Sequence, residues 1–108
     1  MIKKIKVCSS VYDVEYSEKA IIDNGSKILF GNIEHGEMKV NVSGIYPYTK
    51  QLQTIHHECI HAIEVEYDIE IPESIVERLS NAFYSLIIDN PQFIKEILED
   101  DLKNREDL

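Results

Sequence analysis

Residues 49–67 read TKQLQTIHHECIHAIEVEY, and this stretch decides the fold. Leu52, Ile55, Cys59, Ala62 and Ile63 recur at spacings of three and four, the period of an amphipathic helix. With His57 set at zero and about 100° per residue, those five side chains fall between about 140° and 240°. His61 falls near 40°, Thr54 near 60° and Glu58 near 100°. One side of the helix is therefore predicted to pack on a sheet, while another presents the pentapeptide His57-Glu58-Cys59-Ile60-His61.

Upstream of this helix the pattern changes to alternation. Residues 2–16 alternate around Ile5, Val7, Val11, Val14 and Tyr16. Asn24-Gly25-Ser26 is a turn signal, and residues 28–34 read as a strand. Glu34-His35-Gly36-Glu37 reads as a hairpin turn into a strand carrying Met38, Val40 and Val42. Downstream, a second helix is predicted from about Pro72 to about Asp89, where Asn90-Pro91 stops it. A third runs to about Lys103, followed by a charged tail over residues 104–108 that is expected to fray. The fold class is α+β: a small antiparallel sheet, then a three-helix C-terminal part carrying the His-Glu-x-x-His motif. Residues 1–108 suit a single domain.

Composition excludes several functions. Hydrophobic residues make up 44%, which places the chain among globular rather than disordered sequences. The net charge of -9, with Lys3, Lys4 and Lys6 as the only basic cluster, argues against direct nucleic-acid binding. No run is apolar enough for a signal peptide or a membrane span, and Cys8 and Cys59 make no disulfide framework. A cytoplasmic protein with free thiols is expected. The oligomeric state stays open.

The chemistry lies in the pentapeptide. Histidines four apart on a helix stand one turn apart on the same face, so His57 and His61 are able to close on one zinc ion. Glu58 is placed to hold and deprotonate a zinc-bound water, the arrangement of helix-borne metallopeptidases. Cys59 sits about 200° from His57, on the core side, and is read as a buried thiol rather than a ligand. His56, near 260°, is read as a surface or boundary residue, and His35 as a turn residue. Catalytic zinc sites take three protein ligands. A longer motif with Gly at 64 and His at 67 is ruled out by Glu64 and Tyr67.

The third ligand is sought on the second helix. With Glu77 at zero, Asn81 falls near 40° and Tyr84 near 340°, while Ile75, Leu79, Ala82, Phe83 and Leu86 fall at about 140–240°. The apolar side is expected in the core and Glu77 on the metal side, as third ligand. Ser74-Ile75-Val76-Glu77 also has the spacing of a capping box. Glu73 competes for the metal, although a helix N-terminal dipole explains an acid there. Glu64, Glu66, Asp68 and Glu70 remain open.

Two segments resemble the ImmA/IrrE-like zinc metallopeptidases of phages and mobile elements, a gluzincin-type group of zincins. TIHHECIHAIE, residues 54–64, is similar to that group's zinc-binding helix. ERLSNAFYSLI, residues 77–87, looks like its downstream Glu-containing helix, with Ser80 in place of the usual Ala and a short interval after His61. The resemblance covers roughly residues 28–90 and implies a minimal zincin domain. It implies His57, His61 and Glu77 as zinc ligands and Glu58 as general base.

The expected function is zinc-dependent peptide-bond hydrolysis on a protein or peptide substrate. Tyr46, Tyr48, Tyr84 and His35 are candidates to stabilise the oxyanion. A strand over residues 37–43 is a candidate to hold substrate by strand addition. The alternative is a non-catalytic zinc-binding interaction module with a peptidase-like fold. A structural zinc site requires a fourth ligand.

Overall fold

The computed structural model describes residues 1–106. Its order is β1 (Lys4–Val7), β2 (Ser10–Ser17), β3 (Ile21–Ile22), β4 (Ile28–Leu29), β5 (Gly31–Glu34), β6 (Lys39–Ser43), α1 (Tyr48–Glu66), α2 (Glu73–Asp89) and α3 (Pro91–Glu106). This is the α+β arrangement expected, a small sheet followed by three helices. Strands β1-β2-β6-β5 form the main sheet, and β3 pairs β4 separately.

The expectation of an antiparallel sheet is corrected at one ladder. β1 pairs β2 and β5 pairs β6 antiparallel, but β2 and β6 run parallel, Val14 opposite Val40 and Tyr16 opposite Val42. The chain leaves β2 and crosses over residues 18–30 before β5 enters at the far edge. β6 then returns through the His35–Met38 turn into the gap between β5 and β2. A parallel neighbour requires a long crossover of this kind. The stretch over residues 28–34 is also split, β4 bonding to β3 and β5 to β6, with Phe30 between.

Alternation along β2 and β6 places Tyr12, Val14, Val40 and Val42 in the core, where Ile55 and Ala62 of α1 meet them. Cys59 and Ile63 pack at the margin of the same cluster. Fully burying one such aliphatic side chain stabilises the fold by about 1.5–3 kcal/mol. Gly31 lets β5 close over α1. A Cβ there would lie 2.5 Å from the Asn41 carbonyl oxygen and 2.6 Å from the Thr54 methyl.

α2 differs most from expectation. Its inward residues are Val76 and Ser80, both buried, whereas Ile75, Phe83 and Leu86 are exposed. The helix is turned so that Val76 faces inward and the apolar stripe, with Leu79 half-buried at its centre, lies to one side. The capping box does not form either, since Pro72 is the N-cap and no side chain caps the helix. α3 runs past Lys103 to Glu106, held at its end by the Arg105–Asp101 pair at 2.7 Å, and buries no side chain. The tail expectation for Asp107 and Leu108 lies outside the described residues. The molecule measures 51 × 28 × 26 Å. Among the described residues no helix is long and apolar enough to cross a membrane.

Candidate metal centre

The motif side of α1 forms the floor of a cleft of about 590 Å³. Lys50, Thr54, His57, Glu58 and His61 lie along the floor. Phe30, Gly31, Asn32 and Ile33 form one wall, and Glu73, Glu77, Ser80 and Asn81 of α2 the other. Pro47 and the Pro47-carbonyl bonds to Lys50 and Gln51 start α1 shortly after β6, which sets His57 about two and a half turns and His61 about three and a half turns inside the helix.

The structure brings His57 and His61 together, with ring centroids 5.1 Å apart. The carboxylate that joins them is Glu73, not Glu77. Glu73 Oε1 lies 3.0 Å from His57 Nε2, and Glu73 Oε2 lies 2.9 Å from His61 Nε2. One donor atom from each residue lies within 4.8 Å of the others, the separation expected of ligands gathered on one ion. Glu77 lines the same cleft on the wall one turn further along α2. With Val76 facing inward, Glu73 falls about 60° from it and Glu77 about 100° on the same side. Antiparallel packing then sets the first residue of α2, rather than its second turn, opposite the histidines. Among the described residues no fourth ligand joins the cluster.

Glu64 supports the pair from behind. Its Oε1 lies 3.0 Å from His61 Nδ1, and its Oε2 accepts from the Ile71 N–H at 3.2 Å. Donation from Nδ1 to a carboxylate leaves the Nε2 lone pair directed at the cleft, the tautomer a metal ligand needs. Through Ile71 the same carboxylate ties the histidine to the loop that delivers Glu73. Sequence spacing offered Glu64 as a ligand, and the structure gives it this orienting position. Glu66, Asp68 and Glu70 do not join the cluster.

Glu58 is buried, 7% exposed, and lines the cleft beside the cluster. Burial pushes its carboxyl up, while His57 and His61 pull it part of the way back. Cys59, turned to the core, has its thiol pushed up to about 11 by burial and by the Glu58 charge. His56 is half-buried between the helices. Its Nδ1 lies 3.1 Å from Ser80 Oγ and its ring meets Tyr84 edge-on, and burial lowers its pKa, with the charge of His57 adding to the effect.

Of the four candidates for oxyanion stabilisation, His35 lines the cleft, and its Nδ1 is buried with no partner. Tyr46 packs on Phe30 and Tyr84 on His56, so both rings are engaged elsewhere. The expected substrate strand over 37–43 is corrected as well. Within it, β6 is hydrogen-bonded on both sides, and the strand with a free edge on this side of the sheet is β5. At the far end of the cleft Lys50 Nζ lies 3.9 Å over the Phe30 ring. Comparison of the chain with protein-family models, with curated proteins and with solved structures finds no match.

Proposed function

We propose that the protein is a zinc-dependent metallopeptidase whose ligands are His57, His61 and Glu73 and whose general base is Glu58. The observation that carries this reading is the convergence of two Nε2 atoms and one carboxylate on one side of a cleft that also holds a buried Glu58. Zinc, when bound, supplies a Lewis acid that acidifies water and polarises a carbonyl. Glu58 takes the proton from the attacking water and returns it to the leaving nitrogen. Its burial keeps bulk water from competing for that proton. An extended peptide adds to the free edge of β5, whose Gly31, Asn32 and Ile33 line the cleft. His35 donates to the carbonyl oxygen as charge builds on it.

The likeness of residues 54–64 to the ImmA/IrrE-like zinc-binding helix is in keeping with this reading. The downstream likeness is weaker support, because Glu77, its ligand by resemblance, stands a turn away from the histidines. The non-catalytic module is disfavoured by Glu58, since metal binding alone gives no reason to bury a carboxylate beside the histidine pair.

The test compares zinc-loaded wild type with Glu58→Gln in the native cytosol by mapping new protein termini. Termini that depend on Glu58 support hydrolysis. If both proteins are folded and zinc-loaded and no terminus depends on Glu58, the peptidase reading fails and the binding module replaces it.

A further inference from the structure

We infer that the Lys50 end of the cleft is a subsite for an acidic side chain of the substrate, an Asp or Glu lying roughly three residues from the bond that is cut. The inference deepens the peptidase reading and rests on this cleft holding an extended peptide.

Lys50 stands seven residues before His57 on α1. That interval is a rotation of about 700°, so the two lie on the same face within about 20°. The separation along the axis is about 10 Å, and a helical side chain leans further towards the N-terminus. The start of β5 lies beside the same end of α1, since Phe30 touches Lys50 and Gly31 approaches Thr54. A peptide added to the edge of β5 advances about 3.3 Å per residue. Roughly the third residue from the metal therefore passes over Lys50.

The charges that line the cleft are segregated. Glu58 and Glu73 stand at the metal, with Glu77 one turn from Glu73. Lys50 and Lys27 line the cleft with Phe30, and no acid lines that end. Lys4, Lys39, Lys95 and Arg105 are ion-paired, whereas among the described residues no acid pairs with Lys27 or Lys50. In a chain with 20 acidic against 11 basic residues, a lysine left without an acid runs against the prevailing charge. Lys50 is half-buried, its ammonium 3.9 Å over the Phe30 ring. The ring face steadies the cation without neutralising it, so its charge stays available to an anion. The first turn of α1 holds no acid, and the helix dipole adds partial positive charge there. A substrate carboxylate supplies the missing partner. The acids around the metal repel the same carboxylate, which fixes the end of the cleft it occupies.

Capture of short random peptides by the zinc-loaded Glu58→Gln chain tests the inference. The peptides are amidated at the C-terminus, so that side chains are their only carboxylates. Captured peptides should be enriched in Asp and Glu by about 2–5-fold, the worth of one ion pair. Lys50→Gln, added to Glu58→Gln, should abolish the enrichment at equal zinc content, and Lys50→Glu should shift it to Lys and Arg. Carboxylates that merely bind zinc are captured equally with and without Lys50. An acid suits the first turn of a helix, so Lys50→Glu should fold, as circular dichroism checks; if it does not, Lys50→Gln decides. Cleavage mapping with wild type should then place the acid at one fixed position, roughly three residues from the cut. No captured peptide, no acidic enrichment, or an enrichment indifferent to both Lys50 variants overturns the inference. Acidic capture that depends on Lys50, without cleavage by wild type, upholds the subsite and defeats hydrolysis. Cleavage with no acidic preference near the cut upholds hydrolysis and defeats the subsite.

Discussion

Glu73→Ala is expected to remove most of the zinc affinity while leaving the metal-free fold nearly intact. In the structure Glu73 contacts His57 Nε2 at 3.0 Å and His61 Nε2 at 2.9 Å, yet its side chain is 62% exposed. Without metal, exposed pairs of this kind contribute about 0–1 kcal/mol. Residues that merely orient a ligand typically change metal affinity 10–100-fold, so loss of a direct ligand should reach at least about 100-fold. Where zinc is in large excess, a 100-fold weaker site forfeits about 2.7 kcal/mol of zinc-induced stabilisation. For a domain of this size that corresponds to a zinc-dependent melting shift smaller by roughly 10–20 °C. Glu77→Ala, one turn away, should change affinity by less than about 3-fold, the scale of an exposed charge removed nearby. Competition with a chromogenic chelator measures both affinities, and melting with and without zinc checks the linkage. If Glu77→Ala weakens zinc as much as Glu73→Ala does, the assignment of the third ligand is wrong.

Glu58→Gln should keep both fold and zinc but lower peptide hydrolysis by about 10²–10⁴-fold, the worth of a general base, as followed by turnover and metal content together. Glu64→Gln should weaken zinc by about 10–100-fold by releasing the His61 tautomer, and amide exchange at Ile71 should quicken with it; protected exchange with lost affinity would separate the two roles. Cys59, with its thiol pushed up to about 11 and its side chain against the core, should react with iodoacetamide far more slowly at pH 8 than the exposed Cys8. The difference should narrow as pH approaches 11, because the thiolate fraction rises through that value; mass spectrometry of timed samples reads it. Gly31→Ala should cost about 1–3 kcal/mol by forcing β5 away from Asn41 and Thr54, measured by denaturant unfolding.

The sheet-then-helices order was legible because period two gives way to period three to four at a proline, with little in between. Alternation cannot say which strands become neighbours. Val14 and Val40 look alike whether β2 and β6 run parallel or antiparallel, and the crossover over residues 18–30 settles it. The motif residues were legible because helical geometry fixes where i and i+4 point whatever the helix packs on. His57, Glu58 and His61 accordingly share one cleft. The third ligand depends on how a different helix is rotated, which no spacing within that helix determines. The role of Glu64 was hidden for a related reason: its partner Ile71 contributes a backbone N–H, which carries no side-chain signal.

α2 shows why its amphipathicity misled. An apolar stripe marks the side of a helix suited to burial, but it does not fix how far the helix is rolled about its axis when it packs. Had the stripe of Ile75, Leu79 and Phe83 faced α1 in place of Val76, the helix would have rolled by about 60°, leaving Glu73 about 120° off the facing side, away from the histidines. The rotation that presents Glu73 to His57 and His61 therefore requires the polar line of Glu73, Ser80 and Tyr84 to face α1. His56 answers that line through the Ser80 hydroxyl and the Tyr84 ring, so the contact between the helices satisfies polar groups as well as burying Val76. The apolar stripe is left to one side by the same turn, with Ile75, Phe83 and Leu86 exposed. On this reasoning the metal centre and the exposed stripe follow from one helix rotation, and a substitution that lets α2 roll its stripe onto α1 should lose zinc, as read by chelator competition on the folded protein.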